Sequence, residues 1–178
     1  YLFPRGPLRE PLDHLSRADL FIVTKVEELN SCGELEERIK SHNKDAIIFH
    51  STYSSDYLTD LNGGKRLPVG YIKGRRVVAL SGIANPAYFR HLLEGAGAKV
   101  EEEIIFPDHH VFSRNDIPTI QRGIQKAECI VTTEKDASKL SGWVKGHFPT
   151  LSLGISLNII EGDHFKQLLL DLVMEPSK

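Results

Sequence analysis

The chain has 178 residues, of which 40% are hydrophobic, enough for one ordinary core or two small lobes. Its 22 basic and 24 acidic residues leave a formal net charge of −2, which argues against a nucleic-acid-binding protein and against a disordered acidic arm. No apolar run reaches the ~20 residues that a membrane-spanning helix needs. The cysteines, Cys32 and Cys129, lack C-x-x-C spacing, which disfavours a disulfide framework or a zinc ribbon and favours a reducing cytoplasm.

The first segment, YLFPRGPLREP, is rich in proline and glycine and begins without methionine. This beginning is typical of the interior of a longer protein, so we expect the chain to be a fragment. Proline fixes φ and removes backbone donors, which holds such a segment extended without regular pairing. An arginine on this strap, Arg5 or Arg9, is either solvated and ion-paired or grips a phosphate or carboxylate with two hydrogen bonds.

The next elements alternate between strand and helix. Short apolar runs with β-branched residues predict buried strands at LFIVTK (20–25) and AIIFHS (46–51). Between them, GELEERIKSHN (33–43) has good helix formers and opposite charges at helical spacing. Residues 52–76 are polar and contain the turn signal Asn-Gly-Gly at 62–64, so the flanking segments predict a β-hairpin.

The second half of the chain continues this alternation. The predicted strands are RRVVALS, VEEEIIF, CIVTT and PTLSLGISLNI. The predicted helices are PAYFRHLLEGAG, SRNDIPTIQRGIQKAE and the amphipathic GDHFKQLLLDLVME. Strands that alternate with helices predict an α/β fold with a mainly parallel sheet flanked by helices.

Polar motifs follow three of the predicted strands, at residues 81–86 (SGIANP), 107–110 (PDHH) and 132–136 (TTEKD). The carboxyl ends of parallel strands meet at one edge of a sheet, and functional groups collect there. We therefore expect the three loops to share one rim. In the first motif, Asn85 and Pro86 are typical of a helix N-cap and first helical residue, and Gly82 permits a tight turn. The motif either only connects the strand to the helix, or the N-terminus of that helix also binds an anion.

The PDHH motif has three interpretations. Asp108, His109 and His110 could ligate a metal, but adjacent residues at a strand end point in opposite directions, which places the two imidazoles poorly for one ion. A histidine beside a carboxylate suits proton transfer, because its pKa lies near working pH and the acid fixes its tautomer. The third interpretation is a turn in which Asp108 accepts hydrogen bonds from backbone amides.

The TTEKD motif also leaves alternatives open. Lys135 is able to meet a phosphate, whereas Glu134 or Asp136 is able to cap the helix that follows. No GxxxxGK[ST] loop for cradling phosphates occurs in the chain. The residues alone therefore give no argument for nucleotide binding.

In order and spacing, FPRGPLREPL, ALSGIANPAYF, FPDHHVF and VTTEKDASKL resemble the C-terminal half of the tetraacyldisaccharide 4'-kinases, the lipid A 4'-kinases of Gram-negative bacteria. The resemblance runs from about Tyr1 to about Leu140. It implies transfer of the ATP γ-phosphoryl group to the 4'-hydroxyl of an acylated glucosamine disaccharide 1-phosphate. It also implies an enzyme that uses Mg²⁺ and acts at the cytoplasmic face of the inner membrane. ATP and the metal would be bound mainly by an N-terminal half that this chain lacks.

The resemblance also implies an organisation and a set of site residues. Residues 1–52 would end the nucleotide-binding domain, 53–76 would form a hairpin-like linker, and 77–178 would form the C-terminal α/β domain of a P-loop-type kinase. The predicted site residues are the catalytic His109, which would support an aspartate of the other half, and the substrate-binding residues Arg9, Glu10, Asp108 and Lys135. The fragment alone would be inactive, and the complete enzyme monomeric. The alternatives are a metal-dependent phosphohydrolase that uses the DHH triplet and a non-catalytic α/β binding module.

Overall fold

The structure is a computed structural model that describes residues 6, 8–26, 32–140 and 147–174. The chain divides into two compact units, one formed by Tyr1–Tyr53 with Leu157–Lys178 and the other by Ser54–Ser156. In these described ranges, every helix is too short or too polar to cross a membrane.

The first unit is built on a parallel strand pair. Strand β1 (Leu20–Val23) pairs with the start of β2 (Ile47–Asp60), in a register that runs from Leu20↔Ile47 to Val23↔His50. A short 3₁₀ helix, Leu12–Arg17, precedes β1. The unit also contains helix α1 (Gly33–His42), the end of strand β7 (Thr150–Ile159) and helix α5 (Gly162–Met174).

Apolar side chains of this unit pack in two groups beside β2. A small core forms beside α1 from the buried side chains of Val23, Val26, Cys32 and Ile39. Phe49, which is 1% exposed, makes edge-to-face contacts with Phe165 and His164 of α5, at centroid distances of 5.1 and 5.4 Å. These contacts explain why the terminal helix belongs to the first unit.

The buried side chain of His50 is held between two carboxylates of this unit. Its Nε2 lies 2.9 Å from Glu36 Oε1 and its Nδ1 lies 3.1 Å from Glu161 Oε1. Both ring nitrogens can donate at once only in the imidazolium form. Burial alone would lower the pKa of His50, but the hydrogen bonds to Glu161 and Glu36 outweigh it and raise this pKa above its ordinary value of 6.5. We call these three residues the His50 bridge.

The second unit has a mostly parallel sheet. Its strand order is β2-β7-β6-β4-β5, with β3 paired to the outer side of β2. Strand β4 pairs in parallel with β5 and β6, and β6 pairs in parallel with β7. The elements not yet given are β3 (Arg66–Pro68), β4 (Arg76–Ser81), α2 (Pro86–Gly95), β5 (Lys99–Ile105), α3 (Ile117–Ile124), β6 (Cys129–Thr133) and α4 (Glu134–Ala137).

Continuous apolar runs form the centre of this sheet. Four of the five residues of β6, and five of the six of β4, are buried, as expected for central parallel strands covered on both faces. The core around them consists of Val78, Leu80, Ile104, Phe112, Ile120, Ile130 and Leu140. At the end of the strand order, β5 carries the acidic run Glu101–Glu103, of which the first two residues are exposed. The predicted fold, α/β with a mainly parallel sheet flanked by helices, is confirmed.

The predicted hairpin joins β2 to β3. The strands pair antiparallel, from Tyr57↔Pro68 to Thr59↔Arg66. The turn at 62–64 is closed by the Gly64 amide, which donates to the Asp60 carbonyl at 2.7 Å, and the φ of Gly64 is +70°. Glycine reaches this left-handed conformation without strain, which is why the turn ends on it.

The two units divide the chain differently from the predicted domains. The boundary after residue 53 lies next to the predicted end of the nucleotide-binding segment at 52, and the hairpin is part of the second unit. Residues 157–178, predicted to belong to the C-terminal domain, cluster with the first unit instead. The physical reasons are the packing of α5 on Phe49 and the hydrogen bonds of Glu161 to His50.

Candidate functional site

The three polar motifs meet at one edge of the second unit's sheet, as predicted. They follow β4, β5 and β6, whose last residues lie in register, with Ser81 beside Ile105 and Leu80 beside Thr132. Backbone bonds extend the contact beyond the strands, since the Phe106 amide donates to the Ser81 carbonyl at 2.8 Å. We call these loops, at 81–86, 106–112 and 132–138, the rim.

Gly82 is the point where the three rim loops touch. Its amide donates to Asp136 Oδ2 at 2.8 Å, and its carbonyl accepts from the His109 amide at 3.3 Å. A Cβ at this position would lie 3.3 Å from the Pro107 carbonyl oxygen and 3.4 Å from both Asp136 Oδ1 and His110 Cβ. These distances would be tight for a Cβ, so the close approach of the neighbouring loops favours glycine at this position.

The buried side chain of Asp136 holds the rim loop at 132–138 in place. Its side chain is fully buried and accepts from Gly82, from Thr133 Oγ1 at 2.9 Å and from Lys139 Nζ at 3.2 Å. Charged carboxylates at such sites need donors of this kind to offset their lost hydration. The cap of α4 differs from the prediction, because Thr133 Oγ1, and not Glu134 or Asp136, accepts the Asp136 amide at 3.1 Å. The short Thr133 side chain reaches this amide from the N-cap position, where threonine is favoured.

His109 projects from the rim with its backbone fixed and its ring exposed. Its φ is +63°, an uncommon conformation for a residue other than glycine. The side chain is 75% exposed, and Nε2 lies 3.8 Å from Asp108 Oδ2, which is beyond hydrogen-bond range. The amide is held by the Gly82 carbonyl and by Asp108 Oδ1, the latter at 3.0 Å. The backbone of His109 is thus held by two hydrogen bonds while its ring is exposed.

Asp108 and Lys135 form an ion pair beside His109. Lys135 Nζ donates to Asp108 Oδ1 at 3.1 Å, and both side chains are about two-fifths exposed. The hydrogen bond from Lys135 lowers the pKa of Asp108, against a smaller opposing effect of desolvation. Asp108 also accepts the His109 amide, as in the predicted turn.

His110 is turned away from His109 and is used in packing. Its ring stacks on Phe106 at a centroid distance of 4.4 Å, and its Nε2 lies 3.1 Å from Asp116 Oδ2. Asp116 in turn completes the capping box with Ser113 at the start of the next helical segment. In the described part of the chain, no three side chains of His, Cys, Asp or Glu are placed to share a metal ion.

The other predicted site residues lie elsewhere. Arg9 and Glu10 are exposed residues of the first unit, and Glu10 pairs with the exposed His14 at 3.1 Å. Arg5 falls outside the described residues. On the rim itself, Asn85 accepts the Tyr88 amide at 3.0 Å and Pro86 begins α2, which confirms Asn85 as the N-cap and Pro86 as the first helical residue.

Residues 1–174 match the profile of the family described as tetraacyldisaccharide-1-P 4'-kinase. This chain belongs to that family. The match includes all three rim loops, so the arrangement of Gly82, His109 and Asp136 described above is that of a 4'-kinase family member. The fold and the resemblance predicted from the four ordered motifs are confirmed.

Similar proteins support the same assignment. A tetraacyldisaccharide 4'-kinase of Syntrophus aciditrophicus is 34% identical over 98% of this chain, and one of Halothermothrix orenii is 37% identical over 79% of it. Among solved structures, the "apo" form of LpxK from Aquifex aeolicus in complex with ATP aligns with a TM-score of 0.60 and 26% identity over 96% of this chain.

The chain spans about half the length of the relatives that it matches. The aligned part is 50% of the Syntrophus protein, 40% of the Halothermothrix protein and 47% of the Aquifex chain. The similarity therefore concerns one half of a 4'-kinase.

Proposed function

We propose that this chain is the C-terminal half of a kinase that transfers the ATP γ-phosphoryl group to the 4'-hydroxyl of tetraacyldisaccharide 1-phosphate in lipid A biosynthesis. The observation that carries the proposal is His109, an exposed imidazole on a clamped loop, in a chain that matches the 4'-kinase family over residues 1–174. Phosphoryl transfer depends on positioning and charge neutralisation more than on covalent help from the protein.

In this proposal His109 acts as the partner of the base that takes the proton of the acceptor hydroxyl. A base gains from a fixed hydrogen-bond partner that sets its orientation. The left-handed backbone and the two acceptors of the His109 amide support this role, because they hold the backbone of His109 while 75% of its side chain stays exposed. The base itself would be an aspartate of the other half of the enzyme.

Asp108 and Lys135 would line the substrate side of the rim. Their mutual ion pair keeps the carboxylate charged and the ammonium oriented, and each retains an exposed fraction of two-fifths with which to meet sugar or phosphate groups. Arg9 and Glu10 would contact the lipid phosphate or sugars from the first unit, where both are exposed. These roles rest on the resemblance of PLREP and FPDHH to the family motifs.

ATP and Mg²⁺ would be held by the half of the enzyme that precedes this segment in the relatives. The described residues contain no phosphate-cradling loop, and the carboxylates of the rim are already engaged, Asp108 by Lys135 and Asp136 by three donors. The acylated disaccharide substrate implies a site at the cytoplasmic face of the inner membrane. We propose a monomer for the complete enzyme.

The test is a phosphoryl-transfer assay with the complete protein, using γ-labelled ATP and purified tetraacyldisaccharide 1-phosphate. We expect His109→Ala to lower kcat by about 100-fold or more, the range for losing a proton-transfer partner, with little change in the KM for ATP. The matched control is His147→Ala, which removes an exposed histidine of the same unit. Equal turnover in His109→Ala and His147→Ala would contradict the role of His109, and absence of transfer by the unmodified protein would contradict the function.

A further inference from the structure

One turn of helix, α4, connects the hairpin to the loop that carries His109. Its first residue, Glu134, accepts a hydrogen bond from the Tyr57 hydroxyl of β2 at 2.7 Å. Its second residue, Lys135, donates to Asp108, and its third, Asp136, accepts the Gly82 amide. Three consecutive side chains therefore reach the hairpin strand and two different rim loops.

The ring of Tyr57 is confined on the hairpin side. A Cβ on Gly154 of β7 would lie 2.4–2.6 Å from three carbons of this ring, so the ring rests directly on the glycine backbone. The guanidinium carbon of Arg66 in β3 lies 3.4 Å from the ring centroid, a close cation–π contact. The hydrogen bond to Glu134 raises the pKa of the Tyr57 hydroxyl, which keeps it a donor. Ring and hydroxyl are thus both fixed.

Two routes lead from α4 to His109. The first is the ion pair of Lys135 with Asp108, whose Oδ1 also accepts the His109 amide. The second runs through Asp136 to Gly82, whose carbonyl accepts the same amide at 3.3 Å. Because both routes begin at adjacent residues of a four-residue helix, a small rotation of α4 would act on both at once.

We propose that Tyr57 is a positioning residue for His109, and that it acts by anchoring α4 to the hairpin through Glu134. The consequence is that the hairpin strands and the His109 loop move as one body, so that a displacement of the hairpin displaces the imidazole. The kinetic part of this inference rests on the proposed kinase function, whereas the mechanical part concerns only contacts within the second unit.

The mechanical test is hydrogen exchange, followed by mass spectrometry of the complete protein. In Tyr57→Phe we expect faster exchange of amides in the peptides that cover 106–112 and 132–138, because the Glu134 anchor is lost. Gly154→Ala, which forces the ring from its place, should accelerate the same two peptides. The matched control is Tyr71→Phe, which removes a tyrosine hydroxyl from the same unit. The Tyr71 ring also lies under an arginine, with the guanidinium carbon of Arg75 4.1 Å from the ring centroid. Unchanged exchange in Tyr57→Phe, or equal acceleration in Tyr71→Phe, would overturn the proposal.

The kinetic test uses the same variants in the phosphoryl-transfer assay. Tyr57→Phe and Glu134→Ala should each lower kcat by roughly 2- to 30-fold, the range for mutations along a coupling network, with both KM values unchanged. Glu134→Gln keeps an acceptor oxygen for the Tyr57 hydroxyl and should retain most of the activity. The double variant should be no slower than either single variant, since both remove one contact. Additive losses, or a loss in KM instead of kcat, would overturn the positioning role.

The two tests separate this proposal from the function on which its kinetic part rests. If the unmodified protein shows no transfer, the proposed function fails, and the exchange data still decide whether Tyr57 anchors the His109 loop. If transfer occurs and Tyr57→Phe leaves both exchange and kcat unchanged, the anchor alone is wrong.

Discussion

His50 and His109 are held in opposite ways, one by its ring and the other by its backbone. Both ring nitrogens of His50 are bonded to carboxylates of its own unit, and only 8% of the residue is exposed. At His109 the bonds are to the amide, φ is +63°, and 75% of the side chain faces solvent. The first arrangement uses the imidazole to join three segments of chain, and the second leaves the imidazole available to another molecule.

Under the proposed function, the difference separates a histidine that is used inside the fold from one that meets a partner. A ring whose two nitrogens are both bonded inside the fold has no nitrogen left for a new partner. A ring that must meet a partner has to be positioned by other means, and here the means are Gly82, Asp108 and a strained backbone. His110 is also used inside the fold, because its ring is stacked on Phe106 and its Nε2 is bonded to Asp116.

The largest stability effect should come from removing the buried acceptor beneath the His109 loop. Asp136→Ala leaves the Gly82 amide, the Thr133 hydroxyl and the Lys139 ammonium without their acceptor, so we expect a loss of about 3 kcal/mol in the free energy of unfolding. The measurement is urea denaturation, with Asp56→Ala as control, because Asp56 is exposed and its bond from the Ser156 hydroxyl, at 3.0 Å, lies at the surface. A loss at Asp136 no larger than at Asp56 would show that the rim is not clamped from inside.

Breaking the His50 bridge should cost somewhat less and should depend on pH. His50→Asn removes a hydrogen-bonded cation, and we expect a loss of about 2 kcal/mol at pH 6. Because the pKa of His50 is raised on folding, its stabilisation is complete below 6.5 and is lost as pH rises through the higher, folded pKa. Burial raises the pKa of Glu161, but the hydrogen bonds from His50 outweigh this effect and lower the pKa below its ordinary value of 4.5. The stabilisation by Glu161 is therefore complete above pH 4.5 and is lost as pH falls through its folded pKa.

The difference in stability between the unmodified chain and His50→Asn should therefore be largest between about pH 5 and 6.5 and smaller at pH 9. Thermal denaturation of both proteins across this range measures it. The matched control is His14→Asn, which breaks an exposed pair with Glu10 and should change stability by about 0.5 kcal/mol or less. A difference that stays constant from pH 6 to pH 9 would contradict an imidazolium at position 50.

The smallest expected effect is the difference in stability between two substitutions of His109. His109→Gly should be more stable than His109→Ala by about 1 kcal/mol, since glycine accepts a φ of +63° without the cost that a Cβ incurs there. The same comparison at Lys25, whose φ is +61°, serves as the reference and should give a difference of the same sign. Neither variant at 109 should support rapid transfer. An alanine variant as stable as the glycine variant would show that the loop relaxes and is not held.

Local features of this molecule were predictable from its sequence. The apolar runs identified the strands, Asn85 and Pro86 identified the start of α2, and the turn at 62–64 identified the hairpin. These features depend on neighbours along the chain, so a single sequence contains their signals. The rim was predictable for the same reason, because parallel strands in register bring their ends together.

The contacts that hold the rim were not predictable, because they join residues far apart in sequence. Asp136 lies 54 residues from Gly82, and Glu134 lies 77 residues from Tyr57. In the first unit, the His50 bridge has the same property, since Glu161 lies 111 residues from His50. Each pair is created by strand order, which a single sequence does not specify. A local signal did exist for one part of this network, since Thr133 followed by Asp136 has the spacing of a helix cap.

The acidic run on β5 affects how this protein behaves at high concentration. Strand β5 stands last in the strand order of the described part of its unit. Glu101 and Glu102 project from this border into solvent, and a second copy approaching edge to edge would bring like charges together. The repulsion would oppose growth of the sheet from one molecule into the next.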